Sequence, residues 1–80
     1  MLNKAQKKAL EAQALEEVYS GILYRRDNKA EYLNDYENRI KEALIENPEA
    51  NVDWWKEEAE KVKVQIQYLD KFADKVLAMF

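Results

Sequence analysis

The last third of the chain, Val52 to Phe80, carries an unbroken apolar pattern. Its apolar residues are spaced alternately three and four positions apart, which aligns side chains along one side of an α-helix. At about 1.5 Å per residue, a helix over this segment would be roughly 42 Å long, and other helices must cover its apolar side. We call this stripe the seam. It consists of Val52, Trp55, Ala59, Val62, Ile66, Leu69, Ala73, Val76 and Phe80.

Two shorter helices are predicted to cover the seam. Short connections between them imply that neighbouring helices run antiparallel. The sequence therefore predicts one all-α domain, an up-down-up three-helix bundle with coiled-coil-like packing and a long C-terminal helix, with dimerisation as one way to complete it. The domain spans residues 1–80, and its helices are predicted at about 2–26, 29–46 and 52–79.

The predicted boundaries depend on a few residues with special backbone preferences. Asn28 followed by Glu31 has the form of a capping box, which favours a turn at Asp27 and Asn28. The residue before Pro48 avoids the α conformation, so the second helix is expected to end there. The apolar pattern runs through Gly21, which predicts a continuous first helix that can kink at this residue.

Residues suited to catalysis or metal binding are scarce. The chain has no cysteine, histidine or threonine and a single serine, Ser20. The usual nucleophiles, proton shuttles and nitrogen or sulfur ligands are therefore almost all missing. We expect neither an enzyme nor a cofactor or metal site.

The charge pattern is typical of a soluble protein. The net charge is −3, and more than a third of the residues are charged. Lysines near the start resemble the first region of a signal peptide, but Glu11, Glu16 and Glu17 interrupt the segment that would have to be apolar. We expect a cytoplasmic protein that does not bind a membrane.

Some residues of the last helix lie off the seam and are candidates for contact with a protein partner. Isolated apolar residues are common on surfaces, which is the simpler explanation. Aromatic residues framed by lysines are, however, enriched at protein interfaces. The candidates are Trp54, Lys61, Val64, Tyr68 and Lys71.

The C-terminus is more apolar than the seam requires. Its extra residues either pack over a wide, tyrosine-lined end of the bundle or meet a second copy of the chain, and the two outcomes are compatible. The candidates for self-association are Phe72, Leu77, Met79 and Phe80.

The basic residues have a structural and a functional interpretation. In an up-down-up bundle, Lys4, Lys7 and Lys8 would lie beside acidic residues between Glu42 and Glu57, and Arg25 and Arg26 would lie near Asp70 and Asp74. The functional alternative is a helical dimer that binds nucleic acid or another anion through the basic first helix. It is disfavoured, because no nucleic-acid-binding motif is present. Its contact residues would be Lys4, Lys7, Lys8, Arg25 and Arg26.

Taken together, these features favour a small non-enzymatic helical protein–protein interaction module. It would act as a regulator, inhibitor or assembly factor by occupying a surface of a protein whose identity the sequence does not reveal. A viral or mobile-element protein that binds a host protein is one form of this hypothesis. The alternatives are a self-associating structural helical bundle and the nucleic-acid-binding helical dimer.

Overall fold

A computed structural model describes all residues, 1–80, as two α-helices joined by a short loop. α1 spans Lys4–Glu46 and α2 spans Asp53–Leu77. They pack side by side in opposite directions and form a rod with extents of 68 × 14 × 14 Å. The all-α prediction is confirmed, whereas the prediction of three helices is wrong. Neither helix is long and apolar enough to cross a membrane.

The missing third helix is explained by the continuity of α1 through Asp27 and Asn28. The half-buried residues of α1 continue across this point with alternating spacings of four and three, so one side of a single helix faces α2 throughout. A cap at Asn28 would interrupt that packing, whereas asparagine in a helix interior costs only about 0.7 kcal/mol or less. The inward side comprises Leu15, Tyr19, Ile22, Arg26, Lys29, Leu33, Tyr36, Ile40 and Ala43.

The capping box lies at the start of α1 rather than in its middle. Asn3 Oδ1 accepts a hydrogen bond from the backbone N–H of Gln6 at 2.8 Å, and the backbone N–H of Asn3 donates to Gln6 Oε1 at 2.9 Å. At Gly21 the backbone has no positive φ, and the residue lies inside α1 without a break in the helix. The helix was correctly predicted to continue there.

The end of α1 and the start of α2 follow the prediction closely. α1 ends at Glu46, directly before Asn47 and Pro48, and α2 begins at Asp53. The side chain of Asn51 accepts a hydrogen bond from the backbone N–H of Asp53 at 3.1 Å, which satisfies one free donor at the start of the helix. Proline and the two asparagines thus define this loop.

The seam of α2 packs against α1, as predicted. Eight of its nine members are buried or half-buried, and the exception is Phe80, which is 58% exposed and meets the Tyr19 ring edge-on at 6.5 Å between centroids. Small and branched side chains at the contact let the helices approach closely. The buried core consists of Val52, Ala59, Val62 and Ala73 alone.

One ion pair crosses the middle of the hairpin. The guanidinium group of Arg26, on the inward side of α1, donates a hydrogen bond to the carboxylate of Asp70 in α2. The expected proximity of these two residues is confirmed. The other predicted contact, between the lysines near the start of the chain and the acidic residues between Glu42 and Glu57, is wrong. A continuous α1 places Lys4 about 63 Å along the helix from Glu46.

Candidate functional site

An open groove runs along one side of the hairpin, between the two helices. Its volume is 430 Å³. We call this side of the molecule the groove side and the side across the hairpin from it the opposite side. The lining residues are Arg25, Asn28, Lys29 and Tyr32 from α1, and Gln65, Tyr68 and Leu69 from α2.

Aromatic rings and cationic side chains dominate the groove side near its middle. Tyr32 and Tyr68 are each 56% exposed, and the rings of Tyr68 and Phe72 lie 6.5 Å apart in a tilted arrangement. The Nζ atom of Lys71 lies 5.9 Å from the Tyr68 ring centroid, and that of Lys75 lies 5.8 Å from the Phe72 centroid. Such rings offer flat apolar contact area with a cationic rim.

The two sides of the hairpin differ sharply in exposed apolar residues. Helical periodicity assigns the residues next to the inward-facing ones to one side or the other. The groove side carries six large exposed apolar residues, and the opposite side carries only Leu77. The six are Val18, Tyr32, Trp54, Tyr68, Phe72 and Met79.

The structure divides the predicted partner-binding residues into two groups. Val64, Tyr68 and Lys71 lie together and line a small pocket of 170 Å³ on the outer surface of α2. Trp54 lies about 21 Å away along the helix. It packs edge-on against Trp55 at 4.5 Å and against Tyr36 at 6.4 Å, so it belongs to an aromatic cluster at the loop end.

Lys61, the fifth predicted contact, already has partners on its own helix. Its Nζ atom donates a hydrogen bond to Glu58 Oε1 at 3.0 Å. This bond, the charge of Glu58 and the charge of Glu57 raise the pKa of Lys61 above its usual value. Lys61 therefore stays protonated at neutral pH and lies on the groove side as a paired cation.

The predicted self-association residues do not form a single patch. Phe72 lies on the groove side, and Leu77 points to the opposite side, where it is 52% exposed. Met79 and Phe80 lie just beyond the end of α2 and line a shallow pocket together with residues of the first half of α1. All four remain exposed, so the hairpin does not bury them.

The basic residues considered for nucleic acid binding are also separated. Lys4, Lys7 and Lys8 occupy the first two turns of α1, and Lys8 lies about 26 Å along the helix from Arg25. Arg26 is engaged by Asp70. The structure therefore does not bring the five cations into one surface.

Sequence reasoning missed the contribution of α1 to the groove. The sequence predicted a turn at Asp27 and Asn28 and a second helix beginning at Lys29, and Tyr32 was not among the predicted contact residues. The signal that identifies them is the alternating spacing of inward residues from Leu33 back through Lys29 and Arg26. Following it places Tyr32 beside the inward side of α1, where it shares the groove with Tyr68.

No cluster of three or more side chains that could hold a metal ion is present. Comparisons with protein-family models, with curated proteins and with solved structures found no match to this chain.

Proposed function

We propose that this chain is a non-enzymatic helical protein–protein interaction module that binds through its groove side. The observation that carries the proposal is the unequal division of exposed large apolar residues between the two sides of the hairpin, six on the groove side and one on the opposite side, with four more on the outward faces of the helices. Scattered apolar residues are normal on a surface, but a one-sided set centred on aromatic rings is typical of an interface.

The weak core of the hairpin supports the same proposal. Only four of 80 residues are buried, and a domain of this size gains little net stability from one small core. Binding another protein would cover the groove side and stabilise the folded hairpin by mass action. The module would then act as a regulator, inhibitor or assembly factor by occupying a surface.

A photocrosslinking experiment tests the proposal. A benzophenone amino acid replaces Tyr68 in the full chain, expressed in its native cells, and irradiation should yield a covalent adduct with a protein. The matched control carries the same group in place of Lys63, an exposed residue about 140° around α2 from Tyr68. The control should give little or no adduct.

Two results of this experiment would contradict the proposal. Absence of any protein adduct at position 68 would mean that the groove side is unoccupied. Equal adducts at positions 68 and 63 would mean that contacts are random. Circular dichroism of both variants verifies that the helices persist, because both substituted side chains are exposed.

A further inference from the structure

We propose that the groove side binds a second copy of this chain, so that two hairpins form a four-helix bundle with two-fold symmetry. The inference rests on the proposed function, because it names the partner of the same surface. The two hairpins would stack with their loops at opposite ends. In that arrangement α1 lies against the α1 of the second copy, and α2 lies against its α2.

The exposed area of the hairpin suits a dimer. The chain exposes 6724 Å², whereas a compact monomer of 9.5 kDa is expected to expose about 5,000 Å². The surplus, roughly 1,700 Å², is larger than the roughly 800 Å² that each partner buries in a standard interface. A second hairpin of the same length can cover most of such a long, narrow surface.

The charges on the two sides show which side can meet its own copy. Between Gln13 and the end of α2, the groove side has four basic residues and four acidic ones, whereas the opposite side has seven acidic residues and three lysines. Two copies of the acidic side would repel each other. The groove-side charges are Arg25, Arg39, Lys61 and Lys75, with Asp35, Glu42, Glu46 and Glu58.

Opposite charges of α1 meet when the two-fold axis of the antiparallel dimer lies near the middle of the groove. We place this axis at the level of Lys29 and Leu69, which line the groove from the two helices. On α1, Arg25 lies about 6 Å to one side of this level and Asp35 about 9 Å to the other. A two-fold axis at this level therefore places Arg25 opposite Asp35 of the second copy.

The same axis brings aromatic rings together on α2. Tyr68 and Phe72 lie about 1.5 and 4.5 Å on either side of Leu69 along the helix. Reversal of the second hairpin thus places Tyr68 within a turn of the Phe72 of that copy. Aromatic pairs at the centre and an ion pair beside them are the arrangement that stabilises an isologous interface.

The alternative dimer has both loops at the same end, and α1 lies over α2 of the second copy at equal levels. Arg25 would then face the Lys75 of that copy within about 3 Å along the axis, whereas Arg39 would lie within about 3 Å of both its Glu58 and its Lys61. The antiparallel dimer in turn brings Lys61 within about 3 Å of the level of the Lys75 of the second copy. The residue that distinguishes the two dimers is therefore Arg25, which meets an acid in the antiparallel dimer and a lysine in the alternative.

Analytical ultracentrifugation of charge-reversal variants tests the antiparallel dimer. The wild-type chain should sediment at twice its mass of 9.5 kDa and dissociate on dilution. Arg25→Glu should raise the dimer Kd at least about tenfold, because it places an acid opposite Asp35 in two symmetric contacts. Asp35→Arg should do the same. The double variant should restore a Kd within about threefold of wild type.

A reversal on the opposite side serves as the control. Lys63→Glu changes the net charge by the same amount as Arg25→Glu, but it should leave the Kd unchanged. Circular dichroism at each concentration shows whether loss of the dimer also unfolds the hairpin. The double variant keeps the test valid in that case, because it must recover both helicity and mass.

Three results would overturn the antiparallel dimer. They are a monomer at every concentration, a dimer that neither single reversal weakens, and a double variant that fails to recover. A monomer that still crosslinks to a different protein through position 68 would leave the proposed function standing with another occupant. A monomer without any adduct at position 68 would overturn both proposals.

Discussion

Replacing Lys29 with proline tests whether α1 is one continuous helix. In such a helix the backbone N–H of Lys29 donates to the carbonyl oxygen of Arg25, and proline both removes this donor and clashes with the preceding turn. If the chain instead turned at Asp27 and Asn28, residue 29 would be the first of a new helix. Proline is well tolerated at that position.

The expected magnitude follows from the helix interior. Proline is about 3 kcal/mol less favourable than alanine there, and the comparison with Lys29→Ala removes the effect of losing the half-buried lysine side chain. For a domain of 60–100 residues, each kcal/mol lowers the melting temperature by about 4–8 °C. Lys29→Pro should therefore melt about 12–24 °C below Lys29→Ala.

Thermal unfolding followed by far-UV circular dichroism measures the difference. All chains are compared at one protein concentration, because any self-association makes the melting temperature depend on concentration. If the proline variant melted within about 4 °C of the alanine variant, the continuity of α1 would be refuted. The three-helix bundle with a turn at residues 27–28 would then be the better description.

Two further predictions concern exposed positions. Gly21→Ala should stabilise the chain by about 1 kcal/mol, because a Cβ at this helical position meets nothing within 4 Å and alanine is the better helix former; equilibrium denaturation with no gain in stability would contradict this. The pKa of Lys61 should lie above its usual 10.5 because Glu58 holds it, and Glu58→Gln should lower it in an NMR titration. The pair's contribution to stability is complete below that usual value and is lost as the pH rises through the raised pKa.

The stripe on α2 could be identified from the sequence because it depends on local periodicity alone. Apolar residues at alternating spacings of three and four must lie on one side of a helix wherever that helix packs. The loop could also be predicted from the sequence, since Pro48 and the asparagines around it restrict the backbone locally. Both predictions concern residues close together in the chain.

The continuity of α1 through Asp27 and Asn28 could not be predicted from local sequence patterns in the same way. Arg26 and Lys29 occupy inward-facing positions of α1, so the apolar pattern of the sequence is interrupted there. Asn28, which lies between them, favours a helix N-cap. What makes the cation at position 26 acceptable there is Asp70, which is 44 residues away in the chain. Local preference and tertiary packing conflict at this point, and packing prevails.

The candidate surface was predicted in part for the same reason. Tyr68 and its lysine neighbours stood out as exposed residues of α2. Their partner across the groove, Tyr32, belongs to the other helix, and its position depends on the register between the two helices. A single-helix pattern shows which residues share a side, but it does not show which residues of a second helix lie opposite.

The amino-acid sequence by itself determined the all-helical class, the apolar side of α2 and the loop before it, because each follows from periodicity or from the backbone preferences of proline and asparagine. Only the tertiary structure decided that α1 is continuous and that one side of the hairpin exposes six of its large apolar residues. The physical reason is that both features depend on which residues of α1 and α2 face each other, and that pairing is settled by packing between residues distant in the chain.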